Sequence, residues 1–198
     1  MATLLGDGTV PTDIVVVDTD RSRLDAASAL GLVTVTGNAT QSGVLRVAGV
    51  DRADAIVVAT NRDDTAVLVT LTARELAPNI RIVASVRESE NVHLLRQSGA
   101  TSVIVSAETA GRLLGAATTT PAVVEVIEDL LTPEAGFAIS ERPVEENEVG
   151  GSPRHLADIV LGVVRDGELN RVDSAAVDSL ERGDRLLYIR KASAPEED

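Results

Sequence analysis

Short apolar runs that end in a polar residue recur along the first half of the chain. The first leads from residue 14 to Asp18, the second from residue 34 to Thr36, and the third from residue 55 to Thr60. β-Branched and small apolar residues fill all three. This pattern is typical of parallel strands that are buried on both faces and whose carboxyl ends open onto a ligand crevice.

The segments that follow these apolar runs have the residue periodicity of α-helices. After Asp20, the residues Leu24, Ala27 and Leu30 recur at helical intervals before a stop at Gly31, as expected for a crossover helix packed on a sheet. A second helix follows Asn61, which is its predicted N-cap. This helix has two acidic residues in its first turn, ends before Pro78, and is predicted to bury Val67, Leu68 and Leu71.

The same alternation continues to about residue 114. Residues 80–86 predict another strand, Ser89 is expected to cap a helix that stops at Gly99, and residues 102–105 predict a further short strand. Strands separated by helices indicate a parallel sheet with right-handed crossovers.

The residue pattern changes at Thr120 and Pro121. A threonine at the N-cap followed by a proline at the first helical position predicts the start of a helix, and this helix has an apolar stripe. Its members are Val123, Val124, Ile127, Leu130 and Leu131. Beyond residue 136 the sequence favours strands at 137–140, 159–164 and 185–190. The pair Asp166-Gly167 between two of them is a hairpin signal.

The predicted fold is therefore α/β: an incomplete Rossmann-like parallel sheet, a linker helix, and a small α+β, strand-rich domain. The expected boundaries are 1–118 for the sheet domain, 119–133 for the linker or crossover helix, 134–191 for the C-terminal domain and 192–198 for an acidic tail.

The glycine-rich phosphate turn of a dinucleotide fold is missing. It should lie about 20 residues before the acid at the strand end, and only 17 residues precede Asp18. The segment 6–11 begins like such a turn, but no strand precedes it and Pro11 replaces the third glycine. We expect a helix end over residues 2–5, and a domain that lacks its first strand and glycine turn.

The amino-acid composition disfavours several kinds of ligand and of chemistry. The net charge is −13, from 31 acidic and 18 basic residues, which disfavours nucleic acid. Phe137 and Tyr188 are the whole aromatic content and cysteine is absent, so base-stacking platforms, thiol catalysis and Cys-ligated zinc are not expected. His93 and His155 have no carboxylate or nucleophile arranged around them, so we predict no enzyme activity.

Several motifs in fixed order resemble the RCK domain, the Trk-type regulator of potassium conductance. The N-terminal matches are Val-Val-Asp-x-Asp at 16–20, Gly-Asn-Ala-Thr at 37–40, Leu-Arg-x-Ala-Gly-Val-x-x-Ala-Asp-Ala at 45–55, Val-Ala-Thr-Asn at 58–61 and Leu-Thr-Ala-Arg-Glu-Leu-Ala-Pro at 71–78. Two further matches, Val-Leu-Gly-Val-Val-Arg-Asp-Gly at 160–167 and Leu-x-x-Gly-Asp-Arg-Leu at 180–186, resemble the C-terminal Trk-type subdomain (TrkA-C). The helix at 121–131 falls where that family has its subunit-crossing linker.

Asp18, followed by Thr19, stands where a carboxylate can accept hydrogen bonds from both ribose hydroxyls of an adenine nucleotide. The alternative is a loop acid or a helix cap before Arg21. Asn38, Ala39 and Thr40 follow the neighbouring strand, where a small residue lets an adenine ring lie flat; alternatively, Thr40 caps the next helix.

The resemblance places Ala59, Thr60 and Asn61 along the nucleotide crevice. Arg87 could meet a phosphate or pair with Glu88 or Glu90. Glu108 is either a favourable first-turn acid or, as in some family members, a ligand of a divalent cation.

The favoured function is a cytosolic regulatory module of a potassium channel or of a Trk-type potassium uptake system. Binding of an adenine nucleotide (NAD, NADH, ATP or ADP) or of an ion would shift the packing of paired subunits in a homo-oligomer, a dimer or a higher ring, and so alter the gate of a membrane pore partner. Two alternatives are an NAD(P)-binding oxidoreductase and a truncated scaffold that binds no nucleotide.

Overall fold

The chain forms two compact units in a computed structural model that describes residues 9–131 and 137–191. The first unit comprises Thr9–Pro121, and the second contains the described residues from Ala122 onward. The expected helix end at 2–5 and the tail at 192–198 lie outside the described residues.

The first unit alternates strands and helices. Its strands are β1 (Val15–Asp18), β2 (Val33–Thr36), β3 (Ala55–Val58), β4 (Arg81–Val86) and β5 (Ser102–Val105), and its helices are α1 (Arg21–Ala29), α2 (Ser42–Val47), α3 (Asp63–Leu76), α4 (Val92–Gln97) and α5 (Ser106–Thr119). Short 3₁₀ turns lie at Pro11–Asp13, Val50–Arg52 and Ser89–Asn91. The predicted alternation is thus present.

The parallel strands form two pieces. β1 pairs with β2, and β3, β4 and β5 form a second parallel sheet in that order. The main core of the unit lies between α3, α4 and one face of the second sheet, where Ile82, Ala84 and Val86 are fully buried.

The predicted buried face of α3 is wrong at Leu68 and Leu71, although Val67 is partly buried and packs against the main core. Leu68 and Leu71 are about half exposed, while the helix buries the four residues Ala66, Val69, Thr70 and Ala73. The side chains of Ala66 and Ala73 are small enough to let the helix approach the sheet closely. Apolar residues lie almost all round this helix, so hydrophobicity alone did not distinguish the two faces.

The predicted helix starts also need correction. Arg62, not Asn61, is the N-cap residue of α3, and Ser89 begins a 3₁₀ turn instead of capping α4. Leu30 is exposed because α1 ends one residue earlier, although Gly31 takes the positive φ that a helix stop requires.

The second unit contains α6 (Pro121–Leu131) from its second residue, Ala122, and continues as an antiparallel sheet. Its strands are β6 (Phe137–Pro143), β7 (Ile159–Arg165), β8 (Glu168–Arg171) and β9 (Arg185–Lys191), in the order β6-β9-β7-β8. Asp166 and Gly167 both have positive φ between β7 and β8, which confirms the predicted hairpin turn. The polar sequence of β8 gave no strand signal.

Two ion-pair clusters brace the loops of this sheet. Arg142 contacts Glu148 and Asp158, each at 2.6 Å. Arg165 holds the buried Asp184 at 2.7 Å. These partners lower the pKa of Glu148 and of Asp184 below the ordinary carboxyl range. Over the described residues, no helix combines the length and apolarity needed to cross a bilayer.

Candidate functional site

Asp18 ends β1 with its side chain partly exposed. Its Oδ1 accepts a hydrogen bond from the backbone N–H of Asp20 at 2.9 Å, and Arg23 lies 3.5 Å from its Oδ2. The N-cap of α1 is Asp20, whose carboxylate accepts from the backbone N–H of Ser22 at 2.9 Å. Asp18 is therefore not the helix cap, which removes one of the two alternatives to a ligand role.

The ion pair with Arg23 leaves Asp18 accessible to a ligand. The Arg23 side chain is 69% exposed, and such surface pairs contribute at most about 1 kcal/mol. The ribose hydroxyls of a nucleotide could compete for this carboxylate.

The loop after β2 lies beside Asp18. The backbone N–H of Gly37 donates to the carbonyl of Asp18 at 3.0 Å. Asn38 Oδ1 accepts from both the backbone N–H and the hydroxyl of Thr40, at 3.0 and 2.9 Å. This small turn fixes the loop, so the predicted ribose and adenine residues are brought together.

Thr40 is not a helix cap. The N-cap position of α2 is Gln41, and the Thr40 hydroxyl bonds back to Asn38 instead. The carbonyl of Thr40 accepts a hydrogen bond from Thr72 of α3 at 3.2 Å, and Ala39 packs against the main core. These contacts tie the Asn38 loop to the second sheet piece.

A second group of predicted residues lies at the ends of β3 and β4. The Thr60 hydroxyl donates to the carbonyl of Arg62 at 2.8 Å, and the Arg87 guanidinium reaches the carbonyl of Asn61 at 3.5 Å. Arg87 forms no ion pair with Glu88 or Glu90 within the described ranges.

Asp63 organises this second group, a role that the sequence analysis missed. Its carboxylate accepts from the backbone N–H of Arg87 at 2.9 Å and of Glu88 at 3.1 Å, and from the Asn91 side chain at 2.8 Å. Burial by itself would raise the pKa of Asp63, but these hydrogen bonds outweigh it and the pKa is lowered. The start of α3 is thus fastened to the turn after β4.

Arg62 and Asp64 form an exposed bidentate ion pair beside Asp63. The three hydrogen bonds that the Asp63 carboxylate accepts from Arg87, Glu88 and Asn91 are called the Asp63 clasp below. Arg62 Nε lies 3.0 Å from Oδ1 and its Nη2 lies 2.6 Å from Oδ2 of Asp64. The pair lowers the pKa of Asp64 to about 2. Together with Asp63, Arg87, Glu88 and Asn91 these residues line a pocket of about 280 Å³.

The remaining predicted residues are Thr19, Ala59 and Glu108. Thr19 is exposed next to Asp18, and Ala59 is exposed at the end of β3. Glu108 forms an ion pair with Arg112 on the first turns of α5. Residues 9–131 and 137–191 contain no cluster of three acidic or histidine side chains that could hold a metal ion, and the cation role of Glu108 stays a prediction.

Comparison with known proteins identifies the family. The model of the TrkA-N domain matches residues 1–106, and the chain therefore belongs to the TrkA-N domain family. Potassium channel protein 1 of Methanocaldococcus jannaschii is 23% identical over 175 residues, which cover 87% of this chain and 50% of that protein. The chain thus spans about half the length of this relative.

Two solved structures are similar. The TrkA-N domain of the inner membrane protein ybaL from Escherichia coli is 25% identical, with a TM-score of 0.51 over 56% of this chain and 80% of that one. The human SLO3 gating ring is 15% identical, with a TM-score of 0.67 over 89% of this chain and 39% of that one. At 15% identity, the similarity to the SLO3 gating ring shows the fold alone; the aligned part covers residues of both units. The Rossmann-like α/β class and the resemblance noted in the sequence are confirmed.

Proposed function

We propose that this chain is a cytosolic regulatory module of a potassium channel or potassium uptake system, and that an adenine nucleotide is its ligand. The family match and the alignment with a named potassium channel protein over 87% of this chain support the transport assignment. In this proposal the chain regulates a pore at the cytosolic face of the membrane, and no residue has a catalytic role.

The position of Asp18 is the observation that carries the nucleotide assignment. Its carboxylate ends a parallel strand and is not used as the helix cap; its Oδ1 accepts from the backbone N–H of Asp20, and its Oδ2 lies beside the exposed Arg23. A carboxylate at this point can accept hydrogen bonds from two vicinal hydroxyls. In the proposal Asp18 and Thr19 hold the ribose.

The loop after β2 would hold the base. Ala39 is small and partly buried, and Asn38 and Thr40 fix its backbone through the turn described above. An adenine ring could lie flat over Ala39 with loop groups at its edge. Ala59, Thr60 and Asn61 would line the far side of the crevice, with Arg87 toward a phosphate.

Regulation requires that the nucleotide prefer one arrangement of subunits. The helix α6 has apolar side chains but buries none of them in this chain; Val126 is 52% exposed. We assign it to a contact between copies of the chain in a homo-oligomer. The proposed division is a nucleotide domain at 1–118, a crossover helix at 119–133 and a C-terminal domain at 134–191.

Sedimentation velocity with and without nucleotide tests this coupling. The chain should self-associate at micromolar concentration, and ATP, ADP, NAD or NADH should shift the distribution of species. Val126→Glu should weaken association, whereas Glu125→Gln, also on α6, should not. A monomer that is indifferent to all four nucleotides would contradict the proposal.

The transport role needs a separate measurement. The chain would be coexpressed with its pore subunit in a bacterium that lacks its own potassium uptake systems, and growth at low potassium would be followed. Growth should depend on the chain and change in the Asp18→Asn variant. Growth that is identical with and without the chain would contradict a role in potassium transport.

A further inference from the structure

The side-chain amide of Asn38 has one fixed orientation in the loop after β2. Its Oδ1 accepts hydrogen bonds from the backbone N–H of Thr40 at 3.0 Å and from the Thr40 hydroxyl at 2.9 Å. A backbone N–H can only donate, so the oxygen of the amide and not its nitrogen has to face Thr40. The carbonyl of Asn38 also accepts from the backbone N–H of Gln41 at 3.0 Å, which holds the same turn through the main chain.

This orientation leaves the amide nitrogen of Asn38 as the end that a ligand can meet. An amide oxygen has two lone pairs, and Thr40 engages both of them. The two N–H groups on Nδ2 have no hydrogen-bond partner within residues 9–131 and 137–191, and Asn38 is exposed. Although asparagine has both donors and an acceptor, Asn38 therefore offers donors only to a ligand.

A side chain that only donates distinguishes the two classes of purine at position 6. Asparagine ordinarily recognises adenine by donating to N7 and accepting from the 6-amino group, whereas side chains that only donate match the O6 and N7 acceptors of guanine. Hypoxanthine has the same two acceptors. Because its oxygen is engaged by Thr40, Asn38 is of the second kind, and the 6-amino group of adenine would place a donor against a donor.

We propose that Asn38 makes the base subsite favour 6-oxopurine nucleotides, those of hypoxanthine or guanine, over adenine nucleotides. This inference rests on the proposed nucleotide function, which places the base at the loop after β2. Asn38 Nδ2 donates to O6 of the base, and the ring lies on Ala39, which packs against the main core. Adenine nucleotides occupy the same subsite more weakly, through N7 alone.

Calorimetric titration of the full chain with ADP and with IDP tests the preference. The two nucleotides have the same ribose and phosphates, and IDP has hypoxanthine in place of adenine. One net hydrogen bond corresponds to about fivefold in affinity, so the parent chain should bind IDP about fivefold more tightly than ADP. This comparison uses the parent chain alone and does not depend on how any variant folds.

The Asn38→Asp variant should reverse the preference. One carboxylate oxygen can still accept from Thr40 and keep the turn, but the other is also an acceptor, which matches the 6-amino group of adenine and repels O6. The ratio of the IDP affinity to the ADP affinity should fall by about tenfold or more relative to the parent chain. Asn79→Asp makes the same change of charge at an exposed residue before β4 and should leave the ratio unchanged.

Two results would overturn the base preference and leave the nucleotide function standing, provided that both nucleotides bind and that Asp18→Asn weakens both. One is binding of ADP by the parent chain that is as tight as that of IDP, or tighter. The other is an affinity ratio that is the same in Asn38→Asp and the parent chain. Absence of binding by both nucleotides would overturn the base preference and the nucleotide function together.

Discussion

The carboxylate of Asp63, at the start of α3, accepts a hydrogen bond of 2.9 Å from the backbone N–H of Arg87, one residue beyond β4. The same carboxylate also accepts from Glu88 and Asn91. One side chain thus sets the position of the turn that contains Arg87, the predicted phosphate contact.

Removing this clasp should destabilise the first unit. Asp63→Ala takes away an ionised acceptor of three hydrogen bonds, and we expect a loss of about 1 to 2 kcal/mol in the free energy of unfolding. Urea denaturation followed by circular dichroism measures it. Asp64→Ala is the matched control: its pair with Arg62 is exposed, so stability should hardly change. Equal losses in both variants would show that the clasp has no special role.

Removing the hydroxyl of Thr70 should stabilise the first unit. It is buried in the main core and has no hydrogen-bond partner among the described residues. Thr70→Val keeps the shape and removes an unpaired polar group, so the free energy of unfolding should rise by about 1 kcal/mol. In Thr72→Val it should fall, because the Thr72 hydroxyl has the carbonyls of Leu68 and Thr40 as acceptors for its one proton, at 2.9 and 3.2 Å. A stability loss in Thr70→Val would mean that its hydroxyl has a partner.

Acid should weaken the second unit through Asp184. Arg165 holds the pKa of this carboxyl below its ordinary value. A carboxyl whose pKa is lowered by folding stabilises the fold above its unfolded pKa of about 3.9, and this stability is lost as the pH falls through the folded pKa. The free energy of unfolding should therefore be nearly constant from pH 7 to about pH 5 and fall below about pH 4.

The Asp184→Asn variant tests that assignment. It should be less stable at pH 7, and its stability should fall less steeply in acid than that of the parent chain. Asp173→Asn, which removes an exposed partner of Arg171, should leave the acid profile almost unchanged. Parallel acid profiles for Asp184→Asn and the parent chain would contradict the role of Asp184.

The sequence predicted the order of elements well, because parallel strands and crossover helices have strong local signals. Asp166-Gly167 predicted its hairpin, since few residue pairs accept positive φ at both positions. The buried face of α3 was not predictable, because Ala66 is buried in the main core while Leu68 is about half exposed, a difference set by tertiary packing and not by hydrophobicity. Asp63 was noted only as a first-turn acid, since its partners are more than 20 residues away in sequence.

Nucleotide binding at Asp18 is the central claim, and Asp20 provides its matched control. Asp18→Asn removes the charge from the bonds to the ribose, each of which contributes about 1.5 to 3 kcal/mol. We expect a loss of about tenfold or more in affinity. Asp20→Asn keeps an adequate helix cap, because asparagine is as good an N-cap as aspartate, and affinity should stay the same.

Calorimetric titration of the parent chain, Asp18→Asn and Asp20→Asn with ATP, ADP, NAD and NADH tests the claim most directly. The account predicts measurable but weak binding of at least one nucleotide, because no glycine-rich turn at a helix N-terminus was found in the sequence to hold the pyrophosphate. Asp18→Asn should abolish most of this binding and Asp20→Asn should preserve it. Binding that is absent in the parent chain, or equal in Asp18→Asn and the parent chain, would contradict the account.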